Sequence, residues 1–381
     1  MHVSYDSAVY WDGDDTQFTS NSALGWQGEG GAICAIDNSN VSWDGDGTRF
    51  TSTKSGGLGE NGSGGAIFAE LLCSVSWAGD DTQFTNNSVD GKGGTIYAVL
   101  STVFWDGDGT RFTSNVGGWE GGAISAIQAT VSWVGDGTQF TSNYARGDGG
   151  AISADSSPLS WSGNNTSSRQ RTNFIGNFAA EHGGALALIG SDGEPEIFGL
   201  VFSKNTATFG GAVYMGGCED TPTVRFSSCS FLDNVASDNG GAVETFPGIQ
   251  EFLSCDFEGN SAGVVGAMWL GGTTNVTGCS FLSNVASTAG LSVAMVGSAA
   301  NITGSSFDGN QLSCVNGSYR SDTEEEDTKS RFETECFNCP AWNVCSGCTI
   351  TRGNVTSACE VPLEHTSADE DGATLETLDI D

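Results

Sequence analysis

A short repeat constrains the fold more than any other feature of this 381-residue sequence. The pattern Phe-x-x-Asn occurs ten times, and an eleventh copy that starts at Phe50 ends in Thr53. Each repeat holds brief runs of Val, Ile, Thr, Phe and Trp between clusters of Gly, Asn and Asp, which is typical of short β-strands joined by turns. Units of 24 to 34 residues are too small to bury a core alone, so they must stack on one another. The repeat phenylalanines are Phe18, Phe50, Phe84, Phe112, Phe140, Phe174, Phe202, Phe231, Phe257, Phe281 and Phe307.

A second pattern, Gly-Gly-Ala followed by Ile, Leu or Val, accompanies eight copies of the first and begins at positions from Gly30 to Gly240, with Thr95 replacing one Ala. The two patterns together predict one coil of a parallel β-helix. We expect the Phe residues to stack inside the rod and the Asn residues to form a ladder of hydrogen-bonded amides. The paired glycines would form a corner at which a Cβ atom clashes. Eleven coils with a rise of about 4.8 Å each would make a rod of roughly 50 Å.

The combination of Phe-x-x-Asn with Gly-Gly-Ala-[Ile/Leu/Val] resembles the repeat of the polymorphic outer membrane proteins of chlamydiae. The resemblance covers about residues 11–310, and it is also shared with secreted proteins of algae and other protists. It implies an all-β, single-stranded, right-handed parallel β-helix at a cell surface, used for adhesion. The bacterial proteins carry a signal peptide and a C-terminal autotransporter domain that we do not recognise in this sequence. We therefore expect a truncated N-terminus.

The repeat divides the chain into parts of different composition. We predict a β-helix over residues 1–313, with a half that contains a Trp motif (1–165) and a half that contains Cys residues (166–313). A Cys-rich segment follows over residues 314–360, and an acidic, disordered tail over residues 361–381. The six Cys residues from Cys314 to Cys359 favour a small disulfide-bonded segment, although a zinc site is the alternative.

Charge and composition exclude several classes of function. The formal net charge of −34 is incompatible with the basic face that nucleic-acid binding requires. The chain has only three His residues, which disfavours a catalytic site or metal site built on several histidines. No apolar run is long enough for a transmembrane helix. The expected partners are a matrix polysaccharide or a protein of a host or cell surface.

A further motif, Trp-x-Gly-Asp-[Asp/Gly]-Thr, recurs five times in the first half. If the coils stack in register, its Asp residues lie about 4.8 Å apart and repel one another. Calcium would relieve this repulsion, since carboxylates are suitable calcium ligands. The alternative is a solvated Asp-Gly turn, for which the same residues are equally suited. The predicted calcium ligands are Asp14, Asp46, Asp80, Asp108 and Asp136.

Three other sets of residues admit two interpretations each. The Trp residues of the motif could form a carbohydrate platform, but packing against one another is the preferred interpretation. Cys229, Cys255 and Cys279 each precede a repeat Phe by two residues, and we interpret them as stacked core thiols. His182 is the one His inside the repeat, and a hydrogen-bonded turn residue is favoured over a catalytic base.

These observations predict an extracellular or cell-surface β-helix protein with a non-catalytic role in adhesion or matrix binding, with calcium as a candidate cofactor. Nine Asn-x-[Ser/Thr] sequences agree with secretion and N-glycosylation. The first alternative is a calcium-dependent lyase or epimerase that acts on acidic cell-wall polysaccharide. A purely structural wall component is the second alternative.

Overall fold

The computed structural model describes residues 1–24, 28–56, 62–161, 171–190, 196–216, 223–246, 248–287, 291–296, 300–308, 312–315, 318–322 and 332–338. These residues form a parallel β-solenoid of about nine turns, and no helix occurs among them. The predicted all-β parallel solenoid is therefore confirmed. Most of the Cys-rich segment and the whole acidic tail lie outside the described residues.

Each full turn of the first half contributes one strand to each of four faces, which we call sheets A, B, C and D. The strands of sheet A are His2–Val3, Ile33–Ile36, Ile67–Glu70, Ile96–Val99, Ile124–Ile127, Ile152–Asp155, Leu186–Ile189, Val213–Gly216, Val243–Thr245, Val265–Gly271, Leu291–Val296 and Leu312–Val315. The strands of sheet B are Ala8–Trp11, Asn40–Trp43, Ser74–Trp77, Thr102–Trp105, Thr130–Trp133 and Leu159–Trp161.

Sheets C and D carry the Phe-x-x-Asn pattern on both sides of one bend. The strands of sheet C are Gln17–Thr19, Arg49–Thr51, Gln83–Thr85, Arg111–Thr113, Gln139–Thr141, Asn173–Ile175, Val201–Ser203, Ser230–Leu232, Asp256–Glu258 and Ser280–Leu282. The strands of sheet D are Ser22–Leu24, Lys54–Gly56, Ser88–Val89, Val116–Gly117, Tyr144–Ala145, Phe178–Ala179, Thr206–Ala207, Val235–Ala236, Ser261–Ala262 and Val285–Ala286.

In the second half, sheet E takes the place of sheet B along the turn. Its parallel strands are Glu196–Phe198, Thr223–Ser227, Ile249–Leu253, Thr273–Thr277 and Ala300–Asp308. The last of these also pairs with sheet C. Two antiparallel strands follow, Ser318–Asp322 and Phe332–Asn338.

Parallel pairing keeps equivalent residues in register along the rod, so each repeat position becomes a column. Phe84, for example, pairs with Phe50 on one side and with Phe112 on the other. The rings of successive Phe residues from Phe18 to Phe281 stack with centroids 4.6 to 5.1 Å apart and planes within 14° of parallel. From Phe50 onward these side chains are fully buried. The predicted internal Phe column is therefore present.

The Asn residues form the predicted ladder at the bend between sheets C and D. The side-chain amide of Asn87 donates to the carbonyl of Phe50 at 3.0 Å and to Oδ1 of Asn115 at 3.1 Å, while the backbone N–H of Asn87 donates to the same Oδ1. The pattern repeats from coil to coil as far as Asn284. Because each buried amide is fully hydrogen-bonded, the ladder satisfies polar groups that would otherwise be costly to bury.

The paired glycines form the corner that leads into sheet A. The first glycine of each pair adopts a positive φ between 56° and 70°, from Gly30 to Gly240. At the second glycine, a Cβ atom would overlap the carbonyl oxygen of the equivalent glycine in the next coil, as at Gly94 and Gly122. Both positions therefore require glycine, for different steric reasons.

Candidate functional site

The Trp motif forms the turn between sheets B and C, and its Trp and Thr positions bond to each other across coils. The indole N–H of Trp105 donates to Oγ1 of Thr138 in the next coil at 3.2 Å, and Thr138 Oγ1 donates to the carbonyl of Gly135 at 3.3 Å. The same pair of bonds recurs in the neighbouring coils. The Trp rings stack at 4.9 to 5.0 Å and are almost fully buried from Trp43 to Trp133. The packing interpretation is therefore correct, and these residues form no exposed platform.

The structure brings the five predicted calcium ligands into one column on the outside of this turn. The backbone N–H of Asp80 donates to Oδ1 of Asp46 at 2.9 Å, and the N–H of Asp108 donates to Oδ1 of Asp80 at 2.8 Å. At the two ends of the column, the N–H of Asp46 donates to Oδ1 of Asp14 and the N–H of Asp136 donates to Oδ1 of Asp108. Each of the first four carboxylates thus accepts one backbone hydrogen bond from the next coil. This contact gives the Asp position a structural role whether or not a cation binds.

Arginine side chains balance part of the negative charge beside the Asp column. Arg49 Nη1 lies 3.1 Å from Oδ1 of Asp15, and Arg111 Nη1 lies 2.8 Å from Oδ1 of Asp81. These acids adopt a positive φ at the position that is otherwise Gly in the motif. The [Asp/Gly] alternation therefore has a conformational cause, since both residue types tolerate this region better than most.

An aromatic strip lies on the outer face of sheet D. Val116, Tyr144 and Phe178 are register neighbours in three consecutive coils, and each is 37 to 38% exposed. The rings of Tyr144 and Phe178 stack at 5.2 Å with planes 3° from parallel, so they turn their edges outward. Trp119, 44% exposed, lies in the loop that follows Val116. We call Val116, Trp119, Tyr144 and Phe178 the aromatic strip, after the three aromatic residues among them.

A cluster of titratable side chains interrupts the repeat on the loop between sheets D and A. His182 Nδ1 lies 2.7 Å from Oδ1 of Asp148, one coil away, and the exposed Glu181 is adjacent. One ligand atom from each of these three residues lies within 4.8 Å of the others. The hydrogen bond to Asp148 raises the pKa of His182, although partial burial opposes the shift. His182 is therefore a hydrogen-bonded turn residue, as expected, but the sequence did not reveal its acidic partner.

The cluster extends inward through the outer side chains of sheet A. The ring of Tyr214 packs 4.3 Å from that of His182, and Glu244 is its register neighbour in the next strand. Glu244 is only 1% exposed, and its Oε2 atom has no hydrogen-bond partner. Burial raises the pKa of Glu244 to about 8, while the nearby His182 acts in the opposite direction. Burial also raises the pKa of Tyr214 to about 12.

The three cysteines that each precede a repeat Phe by two residues lie in the core, as predicted. Cys229, Cys255 and Cys279 are free thiols with at most 1% of their surface exposed. Hydrogen bonding to Cys229, together with burial, raises the pKa of Cys255 far above its usual value. Protonated thiols in this setting are poor nucleophiles, which agrees with a packing role.

Comparison with known proteins identifies the repeat. The family model for the Chlamydia polymorphic membrane protein repeat matches residues 15–36, 81–99, 137–155 and 199–215. No curated protein and no solved structure matches the chain significantly. The described residues contain no helix long and apolar enough to span a membrane. The repeat family and the β-helix fold together suggest a surface-associated, adhesin-like protein. The chain is a parallel β-solenoid, and four of its repeats are similar to the Chlamydia polymorphic membrane protein repeat.

Proposed function

We propose that this protein acts outside the cell or at its surface as a non-catalytic adhesion or matrix-binding rod. The main support is the match of four repeats to the polymorphic membrane protein family on a chain that folds as a parallel β-solenoid. The solenoid presents the same outward positions again and again, so weak contacts to a repetitive partner can add up along the rod. The expected partners are a matrix polysaccharide or a protein of a cell surface.

The aromatic strip is the proposed contact surface. Partly exposed aromatic side chains supply large contact areas and are enriched at protein interfaces. The strip lies on sheet D, away from the turn between sheets B and C that carries the Asp column. The exposed edges of Tyr144 and Phe178 suit an apolar contact with a protein better than stacking on a sugar ring.

The full chain should be immobilised and tested against uronate-containing and sulfated polysaccharides and against extracellular-matrix proteins. We expect saturable binding that weakens at least tenfold in the Tyr144→Ser, Phe178→Ser double variant. The matched control is Leu72→Ser, which removes an apolar side chain that is 74% exposed on another part of the surface. Absence of binding to both classes would overturn the adhesion role, and equal binding by all variants would overturn the assignment of the strip.

The same polysaccharide mixtures should be followed by proton NMR to test the enzymatic alternative. A non-catalytic rod leaves every sugar resonance unchanged in position. New signals from unsaturated or epimerised uronate would instead show a lyase or an epimerase, and they would contradict the non-catalytic proposal.

We further propose that the Asp column binds calcium. The first four Asp residues each accept one backbone N–H through Oδ1, and the column lies at the outer edge of a turn, where carboxylates of neighbouring coils follow one another. Calcium should raise the thermal midpoint of the wild-type chain, because a ligand that binds only the folded state stabilises it. The Asp46→Asn, Asp80→Asn double variant keeps an oxygen that can accept the backbone N–H at each position but removes two charges. It should therefore lose the increase in thermal midpoint with calcium. An equal calcium response in both proteins would place the ion elsewhere.

A further inference from the structure

The loop between sheets D and A folds over the outer face of sheet A. The residue before each Gly-Gly pair lies in this loop, and its carbonyl accepts the N–H of the first glycine in the preceding coil, as Asp148 accepts from Gly121 and His182 from Gly149. Beneath the loop, outward residues of sheet A such as Ser153 and Ala187 are buried. In most coils these outward residues of sheet A are small or apolar. Glu244, at the same strand position, departs from this rule.

Three side chains that can bind a metal ion lie close together in the loop between sheets D and A. Asp148, Glu181 and His182 place one oxygen or nitrogen atom each within 4.8 Å of the others. The side chains of His182 and Asp148 are 27% and 20% exposed, so an ion could reach them from solvent. Phe209 stacks on the imidazole of His182 with a centroid distance of 5.3 Å, and Tyr214 packs on it at 4.3 Å. These rings fix the orientation of the imidazole, as the surroundings of a metal ligand must.

Glu244 supplies an independent observation that points to a ligand. Glu244 is only 1% exposed, and its Oε2 atom has no hydrogen-bond partner, although Asn239 forms a hydrogen bond with its carboxylate. The register neighbour of Glu244 in sheet A is Tyr214, whose ring packs on the imidazole of His182. A buried carboxylate oxygen is rarely left without a partner, because its loss of solvation is then not compensated. A cation next to His182 would compensate it.

We propose that Asp148, Glu181 and His182 bind a divalent transition-metal ion of the Zn²⁺ class, with Glu244 as the buried carboxylate that adds negative charge behind His182. An imidazole nitrogen combined with carboxylate oxygens is a donor set that suits Zn²⁺ and its first-row neighbours. Calcium prefers oxygen ligands only, so this site differs in chemistry from the Asp column. Asp148 and His182 are 34 positions apart in the sequence, and His182 and Glu244 are 62 positions apart. No sequence motif would group these residues.

The test measures Zn²⁺ bound to the full chain after treatment with EDTA and dialysis against the metal. Cysteine thiolates also bind Zn²⁺, so the informative quantity is the difference between variants. We expect His182→Gln to lose one equivalent relative to the wild type. Glu181→Gln, which changes only an exposed side chain, should bind that equivalent at least tenfold more weakly. The matched control is Glu29→Gln. Glu29 precedes the Gly-Gly pair of a distant coil, as His182 does in its own coil, and this variant should bind Zn²⁺ as the wild type does.

Two further measurements separate a metal ligand from a structural residue. With Co²⁺ as the probe, the equivalent that depends on His182 should show no charge-transfer absorption from thiolate to cobalt. Glu244→Gln should raise the thermal midpoint in EDTA, since it removes a buried carboxyl group whose ionisation the folded chain disfavours, and should weaken Zn²⁺ binding at least tenfold. Equal Zn²⁺ stoichiometry and affinity in the wild type, His182→Gln and Glu181→Gln would overturn the proposal. Thiolate absorption in the equivalent that His182→Gln loses would also overturn it.

Discussion

The two halves of the rod fill the same interior column with different chemistry. As far as Phe174, the residue two positions before each repeat Phe is a Thr that is buried from Thr48 onward, and the hydroxyls of Thr110 and Thr138, for example, accept the indole N–H of a stacked Trp. From Phe202 to Phe281, the equivalent residues are Leu200 and then Cys229, Cys255 and Cys279. Sheet E places Phe226 and Phe252 where sheet B has Trp, and a phenyl ring has no N–H to satisfy.

This difference shows why Trp and Thr occur together. A buried indole N–H needs an acceptor, so a coil with Trp requires a hydroxyl on the neighbouring coil. Once Trp is replaced by Phe, that hydroxyl has no indole partner and a thiol can fill the space. The connection shortens at the same time, from the Trp-x-Gly-Asp-x-Thr turn to two residues such as Ser228 and Cys229. The Phe and Asn columns continue through both halves unchanged.

The largest predicted effect comes from breaking the Asn ladder, which both halves share. Asn177→Ala, near their boundary, removes the hydrogen bonds to Phe140 and Asn205 and leaves two donors of Asn143 without an acceptor. We expect a loss of about 3–5 kcal/mol in the free energy of unfolding, because several buried polar groups lose partners at once. Urea unfolding measures this loss. The exposed Asn40→Ala should change stability by less than about 0.5 kcal/mol. A loss near 1 kcal/mol for Asn177→Ala would contradict the ladder.

The next effect concerns Glu244, a carboxyl group that is buried in the second half. Glu244 has a pKa raised from 4.5 to about 8, so the folded chain binds this proton more tightly than the unfolded chain does. Its contribution to stability is complete below about pH 4.5 and is lost as the pH rises toward 8. The raised pKa of His182 acts in the same direction. In EDTA, the wild type should lose about 2–3 kcal/mol more stability between pH 5 and pH 8 than Glu244→Gln does.

This difference in pH dependence should be specific to Glu244. Urea unfolding at several pH values gives the slope of stability for each protein. Glu251→Gln alters a carboxylate of sheet E that pairs with Arg225 at 2.7 Å, and it serves as the control. The control should retain the wild-type difference between pH 5 and pH 8. Identical slopes for the wild type and Glu244→Gln would show that Glu244 is not buried as described.

A smaller effect tests the pairing of Trp with Thr directly. Thr138→Val leaves the indole N–H of Trp105 buried without an acceptor and should cost about 1–3 kcal/mol. The corresponding change in the second half, Cys255→Val, should cost less than about 1 kcal/mol, since a thiol is a weak donor. A double-mutant cycle with Trp105→Phe should give a coupling energy of about 1 kcal/mol for Trp105 and Thr138. Zero coupling would contradict this explanation of the motif.

The smallest effect is expected on the exposed edge of the first half. Asp80→Asn keeps the acceptor for the N–H of Asp108 but removes one charge from the column. In the absence of calcium, its stability should stay within about 0.5 kcal/mol of the wild type, with a slight gain as repulsion falls. Asp80→Ala removes the acceptor as well and should be less stable than Asp80→Asn. Equal stability of the two variants would show that the hydrogen bond contributes nothing measurable.

Most of the fold was predictable because a parallel solenoid repeats its contacts at each coil. Equivalent residues become neighbours, so a column such as Phe112 or Asn115 can be placed from its spacing alone. The burial of the Trp residues followed from the same logic. The backbone acceptor role of the Asp column was missed, because the turn geometry decides which N–H faces each carboxylate. The number of coils beyond residue 287 and the disulfides of the C-terminal segment stay predictions.

The sequence alone determined the solenoid, its register and the residues of its core, since these depend on short-range periodicity that is written directly in the chain. Only the tertiary structure decided that Asp148, His182 and Glu244 meet. These residues occupy different repeat positions, two on a covering loop and one on the sheet below it. Their proximity depends on how the loop between sheets D and A folds back, which repeat spacing does not encode. A site made of such departures from the repeat is visible only when the coils are stacked.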